Sequence, residues 1–217
     1  MNACLVTAIL AVVSRGETLV LVNIISQEGS TPRGAGASML VLPDGSIKGT
    51  VGGGAVEAAA IAGAMDLLHA ARDGNAPADR LLHFSLRGTS DMDMLCGGAL
   101  TLLLEPVIPG SGKAVCFARA ARMAATGHQT ARLTEILPCA EWEDGTGNCR
   151  TRTSLFVHPA ASPTEEHASR EERGAPSALL DATAKAVAQK SASFVYEVDD
   201  TRWFVEPYAS PPVAYIF

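Results

Sequence analysis

Three consecutive glycines, Gly52-Gly53-Gly54, constrain this chain more than any other feature, because they stand between a strand-like run and a helix-forming one. Glycine takes positive φ without steric cost, so such a run turns the chain sharply and lets backbone N–H groups converge at the positive end of the next helix. Ser46–Val51 reads as the strand, while Val56, Ile61, Ala64, Met65 and Leu68 trace one face of a helix ending near Gly74. Amides gathered in this way suit a phosphate or carboxylate, and close packing of helix on sheet accounts for the same glycines equally well. Glu57 holds the place of the third glycine in a dinucleotide fingerprint, so the segment is not one. In the first helical turn its carboxylate can simply complement the helix dipole.

The surrounding pattern predicts an α/β or α+β chain with helices covering a mixed sheet. A helix over 2–15 is followed by strands over 18–26 and 38–42; Pro43-Asp44-Gly45 then turns the chain into the Ser46–Val51 strand as a hairpin. After the glycine turn and its helix come strands over 81–86 and 99–105, a helix over 114–126 and a strand over 130–137. A polar stretch over 140–175 surrounds a candidate strand at 153–158 and reads as surface loop. A helix over 178–189 and a hairpin, 194–198 with 203–206, close the sequence. No internal repeat of fixed period is visible.

Composition narrows the function classes. A chain of 217 residues with 47% hydrophobic and 18% charged residues buries a core and is too interrupted by Gly, Pro and charge for a transmembrane bundle. The net charge of −6, with Lys and Arg scattered, disfavours nucleic-acid binding. Five cysteines do not describe a disulfide framework, which points to a reducing, cytoplasmic compartment. The apolar run 3–13 lacks a preceding cation and a cleavage pattern, so it reads as a buried helix rather than a signal peptide.

Two further segments carry chemistry. In Gly29-Ser30-Thr31-Pro32-Arg33-Gly34, the hydroxyls of Ser30 and Thr31 and the forked guanidinium of Arg33 suit an anionic group; a solvated arginine in a Gly/Pro-rich loop is the plainer reading. Cys96, followed by Gly97 and Gly98 at the entry to a strand, has an approachable sulfur fit for a soft metal, a nucleophile or a persulfide, although most free cysteines are buried and inert. Asp91 and Asp93 form a carboxylate pair of the kind usually solvated in loops. Gly110-Ser111-Gly112-Lys113 fails as a phosphate loop, with Val107 and Ala114 at two of its required positions, and no zinc-ligand spacing is present.

In order and wording, Gly29-Ser30-Thr31-Pro32-Arg33, Gly49 to Glu57, Met94-Leu95-Cys96-Gly97-Gly98 and Leu104-Glu105-Pro106 resemble the amino-terminal domain of the XdhC/CoxI family, accessory proteins of xanthine dehydrogenase and related molybdenum hydroxylases. The resemblance is strongest over 1–107, continues through an α/β stretch at 108–211, and implies that 212–217 lead into the family's Rossmann domain, which would begin beyond Phe217. It implies a non-enzymatic chaperone that transiently binds molybdenum cofactor (molybdopterin), assists its sulfuration and delivers it to an apo hydroxylase. A cysteine desulfurase would be a second partner and a homodimer the assembly. Carried onto this sequence, the cofactor would meet Ser30, Thr31, Arg33, Gly52, Gly53, Gly54, Glu57, Gly97 and Gly98, with Cys96 as molybdenum ligand or sulfur carrier. Relatives commonly have Cys after the triple glycine where this chain has Ala55, so Cys96 would carry any thiol role. The alternative is a thiol-dependent sulfurtransferase or oxidoreductase component with Cys96 as nucleophile and Asp91 or Asp93 assisting.

Overall fold

A computed structural model describes residues 3–31, 33–85, 98–137, 146–158, 175–198 and 201–208. The order of elements is α1 (Ala3–Val13), β1 (Leu19–Glu28), β2 (Ser38–Val41), β3 (Ile47–Gly49), α2 (Gly54–Arg72), β4 (Asp79–Ser85), β5 (Ala99–Val107), α3 (Gly112–Ala125), β6 (Thr130–Leu137), β7 (Gly147–Val157), α4 (Ser177–Ala188), β8 (Phe194–Val198) and β9 (Thr201–Pro207). The strands form one sheet in the order β3-β2-β1-β5-β4-β7-β6-β9-β8, with antiparallel pairing throughout. The fold class is α+β. The strand expected at 153–158 is the second half of the longer β7.

Alternation along each strand sorts the core into layers. On β1, Val20, Val22 and Ile24 meet Leu100, Leu102 and Leu104 of β5 under α2, which contributes Val56, Ala60, Ala64, Leu67 and Leu68. Helix α2 is long and apolar enough to cross a membrane, yet its apolar face is spent on this sheet. On the opposite face, Leu19 and Leu21 pack with Val107 beneath Ile9 and Val12 of α1 and Phe117 of α3. Helix α4 covers Ala131, Leu133, Trp203 and Val205 through Leu179 and Val187.

The sheet also curls on itself. One cluster takes Ile25 from β1, Leu81 from β4, Leu103 from β5, Ile136 from β6, Cys149 from β7 and Phe204 from β9, with Val195 of β8 packed against it. Residues from seven strands thus meet around one interior.

A duplication invisible in the sequence emerges from the topology. Elements α1-β1-β2-α2-β4-β5 and α3-β6-β7-α4-β8-β9 succeed one another in the same order, and their sheets read β2-β1-β5-β4 and β7-β6-β9-β8. Among the described strands, only β3 lacks a counterpart. The registers match too: Leu21 lies opposite Glu105 and Val20 opposite Pro106, as Arg132 lies opposite Glu206 and Ala131 opposite Pro207. Each Glu-Pro therefore closes one unit. Both prolines fall just past the last pair on their other side, Arg80 with Leu104 and Phe194 with Val205, where a missing N–H breaks no ladder bond.

Candidate functional site

Two motif loops and the entry to β5 lie at the same end of the first unit's sheet. Strand β1 runs toward the loop holding Ser30 and Arg33; β3, reached through β2, runs the same way into the glycine turn; β5 is antiparallel to β1 and begins there, directly after Gly98. Gly98 ties the entry of β5 to the Ser30 loop. A Cβ at this position would come within 2.6 Å of the Ser30 carbonyl oxygen and closer still to that of Glu28, so only glycine admits this approach. Cys96 and Gly97, with Asp91 and Asp93, lie outside the described residues.

The Arg33 loop is held by its own polar groups. The Gln27 side-chain oxygen accepts from the Ala35 N–H at 3.1 Å and from the Thr31 hydroxyl at 3.3 Å, and that hydroxyl also lies 2.9 Å from the Arg33 carbonyl oxygen. Thr31 therefore spends its hydroxyl on shaping the turn. Ser30 and Arg33 are exposed, and the Arg33 guanidinium has no ion-pair partner among the described residues.

The glycine turn gathers backbone amides around a carboxylate, and that carboxylate is the chain's own. Glu57 Oε2 accepts from the Thr50 hydroxyl at 2.6 Å, from the Gly53 N–H at 3.2 Å and from the Val51 N–H at 3.3 Å, while the Gly52 N–H donates to Thr50 Oγ1 at 3.1 Å. All three glycines have positive φ, 120° at Gly52, 77° at Gly53 and 61° at Gly54, which folds the turn around the Glu57 oxygen. The carboxylate also complements the positive end of α2, which lacks a side-chain cap at Gly53. Space directly over Gly53 is open: an added Cβ would meet nothing within 4 Å.

A second polar assembly, absent from the sequence reading, fills the interior between the two units. Arg132 is fully buried; its Nη1 and Nη2 donate to the two carboxylate oxygens of Glu105 at 3.1 and 2.8 Å, and its Nε donates to Glu206 Oε2 at 2.6 Å. The guanidinium carbon also lies 5.2 Å from the centre of the Phe117 ring. The glutamates of the two Glu-Pro closures thus grip one cation. Lys113, from α3, pairs with Asp79, whose other oxygen accepts from the Thr151 N–H at 3.0 Å and hydroxyl at 2.7 Å.

Burial pushes the Asp79 carboxyl above its usual range despite the Lys113 charge, and the nearby Glu105 charge adds to the rise. At Glu105 burial also pushes upward, but the Arg132 and Lys113 charges prevail and hold the carboxyl below its usual range. Burial opposes the charge on Arg132, yet Glu105 and Glu206 keep that guanidinium firmly protonated. The signal for this cluster was legible as an anomaly: Glu105 follows Leu102-Leu103-Leu104 inside an apolar strand, where an ionised side chain needs a partner. Which cation supplies it depends on pairing across the two units.

The family model for XdhC and CoxI matches residues 12–84, which run from the end of α1 through the Arg33 loop, the glycine turn and β4. Among curated proteins, the molybdenum cofactor insertion chaperone PaoD of Escherichia coli (strain K12) is 36% identical over 92 residues, 42% of this chain and 27% of PaoD. The chain thus spans well under half the length of that relative. A crystal structure of a xanthine dehydrogenase from Bacillus halodurans superposes with a TM-score of 0.54 at 20% identity, over 70% of this chain and 42% of that one, and shares the fold.

Proposed function

We propose that this chain is a molybdenum cofactor insertion chaperone for a hydroxylase of the xanthine dehydrogenase type. The observation that carries the reading is the family segment at residues 12–84 together with the common exit of its loops beside the entry to β5. The cofactor is cargo, and its parts divide among the loops by chemistry. Arg33 and the Ser30 hydroxyl, both exposed, suit the phosphate, and the thiolate of Cys96, two residues before Gly98, suits the molybdenum. Gly97 adds no side chain beside that thiolate, and Gly98 holds the entry to β5 against the Ser30 loop. Glu57 has a different part from that of a direct ligand: any phosphate entering the glycine turn competes with its carboxylate for the Val51 and Gly53 amides.

In this reading Cys96 holds the metal without turnover. Receipt of sulfur from a cysteine desulfurase, release to the apo hydroxylase and a homodimeric assembly in a reducing cytoplasm belong to the same proposal. The test is purification from a cofactor-producing host, with molybdenum analysis and pterin fluorescence after oxidation. Wild type should retain both signals, Cys96→Ala should lose molybdenum, and Arg33→Ala should retain less pterin, with the advantage of wild type shrinking as salt is raised. Equal retention by all three proteins sinks the reading. Multiple turnover of a small sulfur donor with no hydroxylase present would instead establish a sulfurtransferase.

A further inference from the structure

The duplicated fold leaves one strand position of the second unit unfilled among the described residues. Val20 and Ala131, each opposite the proline of its Glu-Pro pair, lie opposite Val41 and Phe156 on their other sides. Strand β7 is therefore the counterpart of β2, with Ser154, Leu155 and Phe156 standing where Met39, Leu40 and Val41 stand. In the first unit those residues pair with β3: Met39 with Gly49, Leu40 with Lys48 and Val41 with Ile47. In the second unit the neighbour on that side is β4, whose pairing with β7 ends at Asp79 opposite Cys149. From residue 152 to 157 the edge of β7 has no partner strand among the described residues.

The main chain shows what this edge offers. The Thr151 N–H turns to the β4 side, where Asp79 accepts it at 3.0 Å. Alternation along the strand turns the N–H and C=O of Thr153 and Leu155 the same way, away from β6. A cavity of about 210 Å³ runs beside them, lined by the four consecutive residues Arg152 to Leu155 and by Val115 of α3. A sheet face presents every second residue, so four in succession mark the edge of the strand. Leu155 packs on Cys116 and Ala120 of α3, and Thr153 shares that face; Arg152 and Ser154 point to the other. On the α3 face the Thr153 hydroxyl is buried without a hydrogen-bond partner among the described residues, and Val115 is 52% exposed.

Edge strands usually carry devices that stop another chain from pairing with them. Strand β3 does, being three residues long with Lys48 exposed. By contrast, Arg150 to Val157 contain no Pro, Gly or Lys and are rich in strand-forming Thr, Phe and Val. The charges present select a partner. Arg150 and Arg152 are exposed on one face of β7, in a chain whose net charge is −6. Although Arg152 Nη1 meets Glu135 at 3.0 Å, its side chain is 67% exposed. Two such edges placed together would oppose arginine to arginine, whereas an acidic strand is attracted.

We propose that the open edge of β7 receives an extended acidic segment of a partner protein, added antiparallel in the place that β3 takes in the first unit. The incoming main chain bonds to Thr153 and Leu155, an apolar residue opposite Leu155 enters the cavity beside Val115, and the alternating acidic residues lie on the arginine face. The cavity is below the ~300 Å³ at which small-molecule pockets begin, a size for a side chain or two. This surface goes beyond the chaperone reading and does not depend on it.

The probe is a fluorescein-labelled peptide, Asp-Val-Asp-Val-Asp-Val, titrated with the full-length protein and read by anisotropy. Saturable binding is expected, with slowed hydrogen exchange at the Thr153 and Leu155 amides. N-methylation of the valine amides removes the donors that face β7 and should weaken binding about tenfold or more. Val115→Asp, at an exposed position early in α3 where an acid suits the helix dipole, should weaken it as much. Thr153→Pro deletes an N–H that β6 does not use and should do the same; if that variant fails to fold, Val115→Asp decides. Lys-Val-Lys-Val-Lys-Val should bind more weakly than the acidic peptide. The proposal is overturned by no saturable binding, by equal binding in Val115→Asp or with the methylated peptide, or by tighter binding of the lysine peptide. A dimer of the protein that Thr153→Pro dissociates would assign the edge to a second copy and overturn the external partner.

Discussion

Arg132 carries the largest single-residue consequence in the molecule. A guanidinium with no solvent contact loses several kcal/mol of hydration, and the bidentate Glu105 pair, the Glu206 contact and the Phe117 ring together offset that loss. Removing the cation alone strands two buried carboxylates. Arg132→Met is therefore expected to cost about 3–5 kcal/mol in urea unfolding, whereas the triple variant with Glu105→Leu and Glu206→Leu should regain most of it. The same cluster sets an acid limit. Because the folded state holds the Glu105 carboxyl below 4.5, its contribution is complete above that value and disappears as pH falls through the lowered folded one. The stability advantage of wild type over Glu105→Gln should narrow steadily below pH 4.5. Asp79 acts with the opposite sign: its folded carboxyl titrates above 3.8, so across that interval stability falls as pH rises. Asp79→Asn should flatten that fall.

Among the elements, the meeting of β1 and β5 at Gly98 governs the position of the Ser30 and Arg33 loop. Adding a methyl group there drives it into the carbonyl oxygens of Glu28 and Ser30, so the loop of Ser30 and Arg33 must move away from the entry to β5. Gly98→Ala should lower stability by about 1–3 kcal/mol in chemical denaturation, an overpacking cost, and, under the proposed chaperone role, should lower the pterin retained on purification. Gly53→Ala makes the contrasting case, since its Cβ meets open space and the penalty is confined to its φ of 77°. Most elements were legible in the sequence because they obey local rules. The alternation of Leu19 to Ile25, the Pro43-Asp44-Gly45 turn and the apolar face of α2 each specify their own structure within a few residues. The Glu57 clamp is also local, joining residues at most seven apart, yet the sequence offers phosphate and carboxylate as equal occupants of those amides, and only the coordinates identify Glu57 as the acceptor.

For the whole molecule, the twofold repetition of α-β-β-α-β-β predicts how the chain comes apart. Each unit carries its own helices, but the interior cluster joins Ile25, Leu81 and Leu103 to Ile136, Cys149 and Phe204, and Arg132 of the second unit is neutralised by Glu105 of the first. Neither unit encloses that interior alone. A nick at exposed Gly110, between β5 and α3, should leave two fragments that remain associated and folded by near-ultraviolet circular dichroism, whereas each fragment alone should lack that signal. Independent folding of residues 1–109 would refute this coupling.

By itself the sequence determined the helices and most of the strands, because propensity, turn chemistry and period act over a handful of residues. It did not reveal the duplication, since the units share little beyond Leu104-Glu105-Pro106 and Val205-Glu206-Pro207, and a repeated pairing order leaves no fixed sequence period. Tertiary structure alone decided that those two glutamates close on Arg132 and that Lys113 answers Asp79. Each of these joins residues at least 27 positions apart, and burial leaves a charge only the partner that the fold brings within reach.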